Sequence, residues 1–301
     1  MSREFKSAIM LLVSAVIWGF SYVAQSKGMQ SVGPFTFNTS RSIIACIFLL
    51  LTFVIFKKTS NYYKNEVFSW KKTIIYGLIC GILMTIATNL QQIGIVGTTT
   101  GKAGFLTATY IVIIPIFELF LGKKIKKRII VCIFFAMIGT YLLSVKENLA
   151  INRWDLLILV AAIFFALHIM VMSRMPSDCQ AILTSFMQFF VVMIVSLVLV
   201  LLKETITFEG LKKAFVAILF VGILSSGVGF TLQLIAIKDI DPTIGSLISS
   251  LESVFAAIGG WLVLGQGMDI REISGCVIIL ISTIVAQIPS KRGIKIEEIE
   301  N

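Results

Sequence analysis

Residues 80–95 read CGILMTIATNLQQIGI, and residues 221–237 read VGILSSGVGFTLQLIAI. The two segments share a Gly-Ile-Leu sequence near their starts and an L-Q-x-I-x-I sequence at their ends. Each therefore carries a glutamine, Gln91 or Gln233, inside an otherwise apolar run. Because internal similarity of this kind is typical of membrane proteins built from repeats, we expect two copies of one unit, with the glutamines where the copies meet.

The composition excludes an ordinary water-soluble domain. The chain has 301 residues, of which 57% are hydrophobic and 14% charged, and its mean hydropathy is +0.96. Soluble domains contain about 25% charged residues, so the apolar excess indicates a protein that resides in a bilayer. The net charge of +10 lies in short gaps between apolar runs. This pattern favours contact with membrane lipids, and no nucleic-acid partner is expected.

Ten apolar runs are long enough for helices that cross the hydrocarbon core, which needs about 20 residues. Helices are expected because unpaired backbone groups are costly in lipid. The sequence therefore predicts an all-α polytopic membrane protein with ten transmembrane helices. The runs, called spans 1 to 10, cover residues 8–26, 35–56, 73–94, 99–121, 129–145, 155–173, 181–202, 214–236, 243–264 and 272–288.

The distribution of lysine and arginine between the gaps predicts the orientation. If the N-terminus is cytoplasmic, 17 of these residues lie on the cytoplasmic side and 8 on the other. This excess predicts a multi-pass protein of the cell inner (plasma) membrane with both termini in the cytoplasm. The N-terminal segment resembles a signal peptide but continues through Trp18 and Tyr22 without a cleavage site, so we expect an uncleaved first span.

One pair of matching loops indicates that the two repeats are inverted. The segment after span 4 reads LGKKIKKR (121–128), and the segment after span 9 reads LGQGMDIR (264–271), without the four lysines. Because five spans per repeat is an odd number, the second copy of this loop faces the other side, where positive charge is disfavoured. We therefore predict two inverted five-helix repeats, residues 1–148 and 149–290, followed by a charged cytoplasmic tail, 291–301.

The same residues carry a resemblance to a known family. Its stretches are AVIWGFSYVAQSKGMQSVGPFTFNTSR (15–41), NLQQIGIVGTTTGKAGFLTATYIVIIPIFELFLGKK (89–124) and TLQLIAIKDIDPTIGSLISSLESVFAAIGGWLVLGQ (231–266). Over almost its whole length the chain resembles the EamA-type members of the drug/metabolite transporter superfamily. The resemblance implies ten helices, a central cavity lined mainly by spans 1, 3, 4, 6, 8 and 9, and export or exchange of small metabolites.

The chain departs from the pattern of many relatives in two respects. Lys123 and Gln266 replace an acidic residue after the Leu-Gly pair, and Ser253 replaces a proline in span 9. The second departure predicts a straighter ninth helix. Pro115 is expected to bend span 4, and Glu118 to form an ion pair with the adjacent lysines.

Glu252 is the most informative polar residue because it lies near the middle of span 9. A charged group at the bilayer centre costs about 2.5–3.5 kcal/mol on insertion scales. It persists only if it is protonated, paired or facing water. We therefore consider two roles for Glu252: a proton carrier or ligand for a cationic group, and a buried acid hydrogen-bonded for packing.

Other polar and aromatic groups inside the spans have the same two kinds of interpretation. Gln91 and Gln233 either line a shared cavity or form interhelical hydrogen bonds. His168, the only histidine, either relays protons or is a satisfied core group. The candidates for substrate binding are Trp18, Asn89, Gln91, Tyr110, His168, Gln233 and Glu252.

Three charged residues are candidates for a charge or coupling role: Arg41, Lys102 and Glu252. Arg41 lies near the start of span 2, where it either pairs with a carboxylate of the substrate or bonds helix-end carbonyls and snorkels. Gln188 occupies its approximate position in the second repeat. Lys102 enters span 4 near the same side of the membrane and has the same alternatives.

The sequence favours a secondary transporter that moves a small organic metabolite by alternating access. It contains no phosphate-binding loop and no metal-binding spacing among its five cysteines, so neither a cofactor nor a metal is expected. The alternative is a membrane-embedded enzyme acting on a lipid substrate. Amphipathic amino acids, nucleosides and drug-like cations suit the candidate residues equally, proton coupling is an option, and we expect a monomer or a homodimer.

Overall fold

The structure is a computed structural model that describes residues 2–98, 100–145, 151–265 and 267–288. Within these ranges, the side chains of residues 62, 100–102 and 264 are not part of the description. The predicted coupling residue Lys102 therefore lies outside the described side chains. The predicted cytoplasmic tail, 291–301, lies outside the described residues.

The described ranges contain α- and π-helices and no strand. Ten helices are long and apolar enough to cross a membrane, and they coincide with the ten predicted runs. A short helix, Asn61–Asn65, lies between spans 2 and 3. The spans are Arg3–Gly28, Pro34–Thr59, Trp70–Val96, Thr100–Ala108 with Tyr110–Phe120, Lys127–Ser144, Arg153–Ser173, Ala181–Lys203, Phe208–Ala236, Pro242–Ser249 with Glu252–Leu264, and Ile270–Gln287.

The matching Leu-Gly pairs of the two repeats end equivalent helices. Gly122, after span 4, has φ 81°, and Gly265, after span 9, has φ 65°. These are the positive-φ residues of the described chain. A left-handed residue after the last turn satisfies orphan carbonyls at a helix end, and glycine adopts this conformation without steric cost. The shared Leu-Gly pair therefore has a structural role in both copies.

Close packing between the repeats depends on the small residues of a G-x-x-x-G pair in span 3. Gly77 and Gly81 lie against span 7 of the second repeat. A Cβ atom on Gly77 would be 2.5 Å from Cβ of Met187, and one on Gly81 would be 2.8 Å from Cβ of Val191. Spans 3 and 7 therefore approach closely only because these positions lack side chains.

Span 4 is interrupted, although not at its proline. Pro115 lies inside the helix Tyr110–Phe120, and the interruption falls at Thr109. There the backbone N–H of Thr109 donates to the carbonyl of Leu106, and the Thr109 hydroxyl donates to the same carbonyl at 2.6 Å. A threonine hydroxyl that competes for a backbone acceptor weakens the regular helix pattern.

Span 9 is also interrupted, so the expectation of a straighter helix without proline is wrong. The break lies at Ser250 and Leu251, between the helices Pro242–Ser249 and Glu252–Leu264. The Ser250 hydroxyl donates to the carbonyl of Leu247 at 2.7 Å, and the Ser246 hydroxyl to that of Thr243 at 2.8 Å. Serine hydroxyls therefore engage backbone carbonyls here as Thr109 does in span 4.

The two repeats are joined by polar contacts near one end of the bundle, where spans 1, 3, 5, 7 and 9 begin; we call this end the N-terminal face. Glu118 forms the predicted ion pair with Lys123, and its other oxygen accepts a 2.7 Å hydrogen bond from Thr243 of the second repeat. Lys72 forms an ion pair of 2.8 Å with Asp178, in the loop after span 6. Both acids therefore connect elements from different repeats.

The opposite face has its own contact between repeats. Glu204, at the end of span 7, accepts hydrogen bonds from the backbone N–H groups of Phe35 (2.9 Å) and Thr36 (2.7 Å), which start span 2. The Thr36 hydroxyl donates to the same carboxylate at 2.6 Å. Because the N-terminus of a helix attracts negative charge, this carboxylate caps span 2 from the other repeat.

Candidate functional site

A polar cavity lies inside the bundle of spans. Spans 1, 2, 3, 4, 6, 8 and 9 contribute to its walls, so both repeats line it. The set implied by the family resemblance is present, and span 2 adds one residue, Arg41. The lining residues are Trp18, Ser21, Tyr22, Gln25, Arg41, Thr88, Gln91, Thr107, Tyr110, Phe165, His168, Ile169, Ser225, Phe230, Gln233 and Glu252.

The cavity is small in this conformation. The volume open to the centres of water-sized spheres is about 60 Å³. One water needs roughly 10–15 Å³ on this measure, so the cavity has room for about four to six waters or a comparably small ligand. A larger solute would require the walls to move apart.

Span 1 supplies a continuous wall of the cavity. Trp18, Ser21, Tyr22 and Gln25 all line it, and their i, i+3, i+4, i+7 spacing places them on one helix face. The Trp18 ring lies 4.8 Å from that of Phe230 between centroids, while its indole N–H has no hydrogen-bond partner in the described chain. The wall therefore offers an apolar ring surface and a free donor.

The two glutamines of the repeated segments both reach this cavity, but their hydrogen bonding differs. The Gln91 amide donates to the hydroxyls of Thr107 at 3.0 Å and Tyr22 at 3.3 Å. The Gln233 side-chain carbonyl is buried and has no partner among the described residues. Gln91 is thus held by its own repeat, whereas Gln233 presents an unmet acceptor.

Glu252 is positioned by the interruption of span 9, because it is the first residue of the helix Glu252–Leu264. Glu252 is 6% exposed, and the Tyr110 hydroxyl donates a hydrogen bond of 3.4 Å to its carboxyl. This distance is long for an O–H···O bond, whose usual value is about 2.7–2.8 Å. Among the described residues Glu252 forms no ion pair. Its carboxyl is therefore weakly engaged by the protein.

Arg41 is the eighth residue of span 2 and is only 3% exposed. It forms no ion pair with a described acid, and its Nε has no hydrogen-bond partner there. Span 8 packs closely on its backbone, since a Cβ atom on Gly222 would be 2.9 Å from the Arg41 carbonyl oxygen. The guanidinium consequently lies inside the protein beside the cavity rather than at a membrane surface.

His168 lies at the cavity wall and also has a hydrogen-bond partner in the protein. It lines the cavity, and its Nε2 lies 3.0 Å from the side-chain oxygen of Gln188. Its ring also lies 6.3 Å from that of Phe230, edge to face. Gln188, the counterpart of Arg41 in the second repeat, therefore orients the histidine ring through this contact.

One predicted binding residue does not reach the cavity. Asn89 is buried between spans 2, 3 and 7, where its amide donates to the carbonyl of Thr85 at 2.9 Å and to Ser196 at 3.0 Å. Its side-chain oxygen accepts from Asn38 at 3.0 Å. The structure therefore gives Asn89 a role in packing, which is the interhelical hydrogen bonding that we considered for buried amides.

Several lining residues were absent from the predicted set. Four of them precede a predicted residue by three positions, so a search of the same helix face would have found them. They are Thr88, Thr107, Phe165 and Phe230, which precede Gln91, Tyr110, His168 and Gln233. Ser21 and Gln25 lie on the same helix face as Trp18 and could have been found in the same way. No sequence feature indicated that Ile169 and Ser225 would line the cavity.

The described residues contain no group of three or more histidine, cysteine, aspartate or glutamate side chains that could hold a metal ion. The five cysteines are free and buried. The chemistry of the cavity is therefore that of amides, hydroxyls, aromatic rings, one guanidinium and one carboxyl.

Comparisons with known proteins agree with a chain built from two repeats. The model of the EamA-like transporter family matches residues 5–145 and again residues 152–287. The chain belongs to this family. As an EamA-like transporter family member with ten apolar helices, it is a multi-pass membrane protein.

Relatives of this EamA-like protein have similar lengths. An uncharacterized transporter of Archaeoglobus fulgidus is 28% identical over 279 residues, covering 92% of this chain and 84% of the relative. The uncharacterized transporter YoaV of Bacillus subtilis is 24% identical over 273 residues, covering 88% and 90%. A solved crystal structure has a TM-score of 0.74 at 15% identity and covers 93% and 96% of the two chains, which shows a shared fold.

Proposed function

We propose that this protein is a secondary transporter that exports or exchanges a small organic metabolite by alternating access. The observation that carries the proposal is the polar cavity, which lies between two inverted repeats inside the membrane-spanning bundle. Two halves related in this way can rock around a central site and expose it to each side in turn. Membership of a transporter family supports the same conclusion.

The contacts at the two ends of the bundle support alternating access. Glu118–Thr243 joins the repeats at the N-terminal face, and Glu204 joins them at the opposite face through Phe35 and Thr36. In our proposal, one set breaks when the cavity opens to its side, while the other set holds the far side closed. Because each set consists of a few hydrogen bonds, each worth roughly 0.5–1.5 kcal/mol and up to about 3 kcal/mol for a charged partner, thermal motion can exchange the two states.

Transport is tested with purified protein in proteoliposomes. A thermal-shift screen of metabolites first identifies solutes that stabilise the folded protein, since binding to the native state raises the melting temperature. We expect saturable flux of at least one such solute into loaded vesicles. Absence of flux for every stabilising solute, or conversion of a lipid or solute to a new product by the purified protein, would contradict the proposal and favour the enzyme alternative.

Proton coupling through Glu252 is a separate part of the proposal, because this carboxyl is buried in the cavity with one long hydrogen bond. We expect Glu252→Gln to abolish pH-gradient-driven flux while leaving solute exchange. Glu209→Gln is the matched control, since Glu209 is exposed and paired with Lys213. If the gradient drives the Glu252→Gln variant as well as the wild type, Glu252 has no coupling role.

We also propose the organisation predicted from the sequence, with repeats at residues 1–148 and 149–290. The protein lies in the plasma membrane with both termini in the cytoplasm, as a monomer or a homodimer. Single cysteines at Lys124 and Gly267, both exposed, test the orientation. A membrane-impermeant thiol reagent applied to whole cells should label Gly267→Cys and spare Lys124→Cys. Labelling of both from outside would refute the inverted arrangement.

A further inference from the structure

The guanidinium of Arg41 is an unexplained charge in the cavity. Arginine remains positively charged in proteins, and placing a charge in a membrane protein interior costs several kcal/mol unless a partner compensates. The described acids form ion pairs with Lys72, Lys123 and Lys213, and none with Arg41. No described acid is within ion-pair distance of the guanidinium, which leaves it available to an anionic ligand in the cavity.

The structure excludes the two structural roles that we considered for Arg41, snorkelling and bonding of helix-end carbonyls. Arg41 is 3% exposed, so the side chain does not snorkel to a membrane surface. It donates no hydrogen bond to a described helix-end carbonyl, and its Nε is without a partner. The fold does not require a cation here either, because the equivalent position of the second repeat is Gln188, which bonds His168 instead.

We propose that Arg41 binds the carboxylate of the transported solute, so that the substrates are small carboxylate-bearing molecules. The planar guanidinium matches a carboxylate with two parallel hydrogen bonds. The unmet indole N–H of Trp18 is a further donor in the same cavity. The proposal rests on the transport function above, and it adds the class of substrate and the residue that selects it.

The charges of the cavity favour a carboxylate over a phosphate. Arg41 is the only lysine or arginine among the described lining residues, and Glu252 is the only acid. One guanidinium can neutralise one carboxylate, whereas a dianionic phosphate would keep an uncompensated charge beside Glu252. The volume of about 60 Å³ also suits a compact acid.

The groups of this subsite come from different repeats. Arg41 belongs to the first repeat, and the unmet carbonyl of Gln233 belongs to the second. A solute whose carboxylate lies on Arg41 therefore presents its remaining groups to acceptors such as Gln233 and Glu252. Solutes with a second, donating group should bind more tightly than simple monocarboxylates.

The test compares carboxylates with their amides on the full-length protein in detergent. The probes are propionate and propionamide, L-alanine and L-alaninamide, L-leucine and L-leucinamide, and ethylphosphonate. Dissociation constants follow from the concentration dependence of the melting temperature. We expect at least one carboxylate to bind the wild type at least about tenfold more tightly than its amide. A hydrogen bond to a charged group contributes enough binding free energy for a difference of this size.

Substitutions assign the preference to Arg41. Arg41→Gln copies the residue of the second repeat and should reduce the preference to within about twofold, while Arg41→Lys should keep part of it. Arg153→Gln is the matched control, since Arg153 is exposed at the start of span 6. If Arg41→Gln does not fold, the carboxylate–amide comparison on the wild type and on Arg41→Lys still decides.

Three outcomes would overturn the proposal: no carboxylate binds more tightly than its amide, Arg41→Gln keeps the preference, or ethylphosphonate binds and the carboxylates do not. The proposed function fails differently. If stabilising amides are transported without any carboxylate preference, transport stands and the role of Arg41 is wrong. If carboxylates bind at Arg41 but no solute crosses the vesicle membrane, the binding site stands and transport is wrong.

Discussion

In span 3 the repeated segment 80–95 is α-helical throughout, whereas in span 8 its counterpart begins with a π-helix, Val221–Gly229. The sequences explain the difference in length. Ten positions separate Gly81 from Gln91, and eleven separate Gly222 from Gln233. The second copy therefore contains one additional residue between the matching glycine and the matching glutamine.

An additional residue in a regular α-helix would turn every later side chain by about 100°, because the helix has 3.6 residues per turn. Gln233 would then point away from the position that Gln91 has in the first copy. The π-helix takes more residues per turn and absorbs the insertion. Both glutamines consequently line the same cavity.

The composition of the second copy lowers the free-energy cost of the wider turn. Ser225, Ser226, Gly227 and Gly229 occupy this stretch, and serine and glycine are weaker α-helix formers than the leucine, methionine and alanine found elsewhere in the spans. The glycines also permit close contacts, since a Cβ atom on Gly229 would be 2.9 Å from the indole nitrogen of Trp18. The comparison teaches that the direction of the glutamine is kept while the backbone around it differs.

The largest expected effect comes from deleting one residue in each copy. Deletion of Ala87 in span 3 should turn Gln91 out of the cavity by about 100° and prevent folding, because there is no π-helix to absorb the change. Deletion of Val228 in span 8 should convert the segment to an α-helix with the same ten-position spacing from glycine to glutamine as in span 3, and give folded protein. Yield of monodisperse protein in size-exclusion chromatography measures both.

The opposite result, a folded Ala87 deletion and an unfolded Val228 deletion, would show that the π-helix does more than absorb the extra residue. A melting curve of each folded variant provides the control for global destabilisation.

The matching glycines should respond alike, with a smaller effect. A Cβ atom on Gly81 would be 2.8 Å from Cβ of Val191, and one on Gly222 would be 2.7 Å from Cβ of Ile44. We expect Gly81→Ala and Gly222→Ala each to lose about 1–3 kcal/mol of stability through overpacking, read as lower melting temperatures. Gly104→Ala is the control, because nothing lies within 4 Å of a Cβ atom there.

A strong loss for Gly81→Ala with none for Gly222→Ala would mean that the π-helix yields to the new methyl group. The two copies would then differ in rigidity as well as in helix type.

The smallest effect is expected at the glutamines themselves. Gln91→Leu removes hydrogen bonds to Thr107 and Tyr22 and should cost about 0.6 kcal/mol for each, the average for such bonds in membranes. Gln233→Leu removes a carbonyl without a described partner, so its melting temperature should match or exceed that of the wild type. Solute binding by Gln233→Leu should weaken. Equal destabilisation by both variants would contradict the difference in hydrogen bonding.

Part of the site was predictable because helix periodicity relates sequence to direction. Trp18, Gln91, Tyr110, His168, Gln233 and Glu252 were predicted from polarity or aromatic character within apolar spans, and all six line the cavity. Asn89 had equal polarity, yet its helix face meets spans 2 and 7. Polarity alone does not distinguish a face that meets a cavity from a face that meets another helix.

The interruptions of spans 4 and 9 were less predictable. Pro115 and Ser253 suggested a bend in span 4 and a straighter span 9, but hydroxyls of Thr109, Ser246 and Ser250 bond backbone carbonyls at or near the two breaks. Such bonds depend on side-chain rotamers and on neighbouring helices, so a single sequence does not indicate which serine or threonine will form them.

By itself the sequence determined the number of spans, their approximate positions and their arrangement as two repeats of five. These features follow from apolar length and internal sequence similarity, which act along the chain without reference to neighbours. Only the tertiary structure decided that Gln91 is bonded while Gln233 is not, that the additional residue of span 8 forms a π-helix, and that Arg41 is buried without a described acid. Those outcomes depend on which groups from distant segments come within hydrogen-bonding distance, and that is settled by packing.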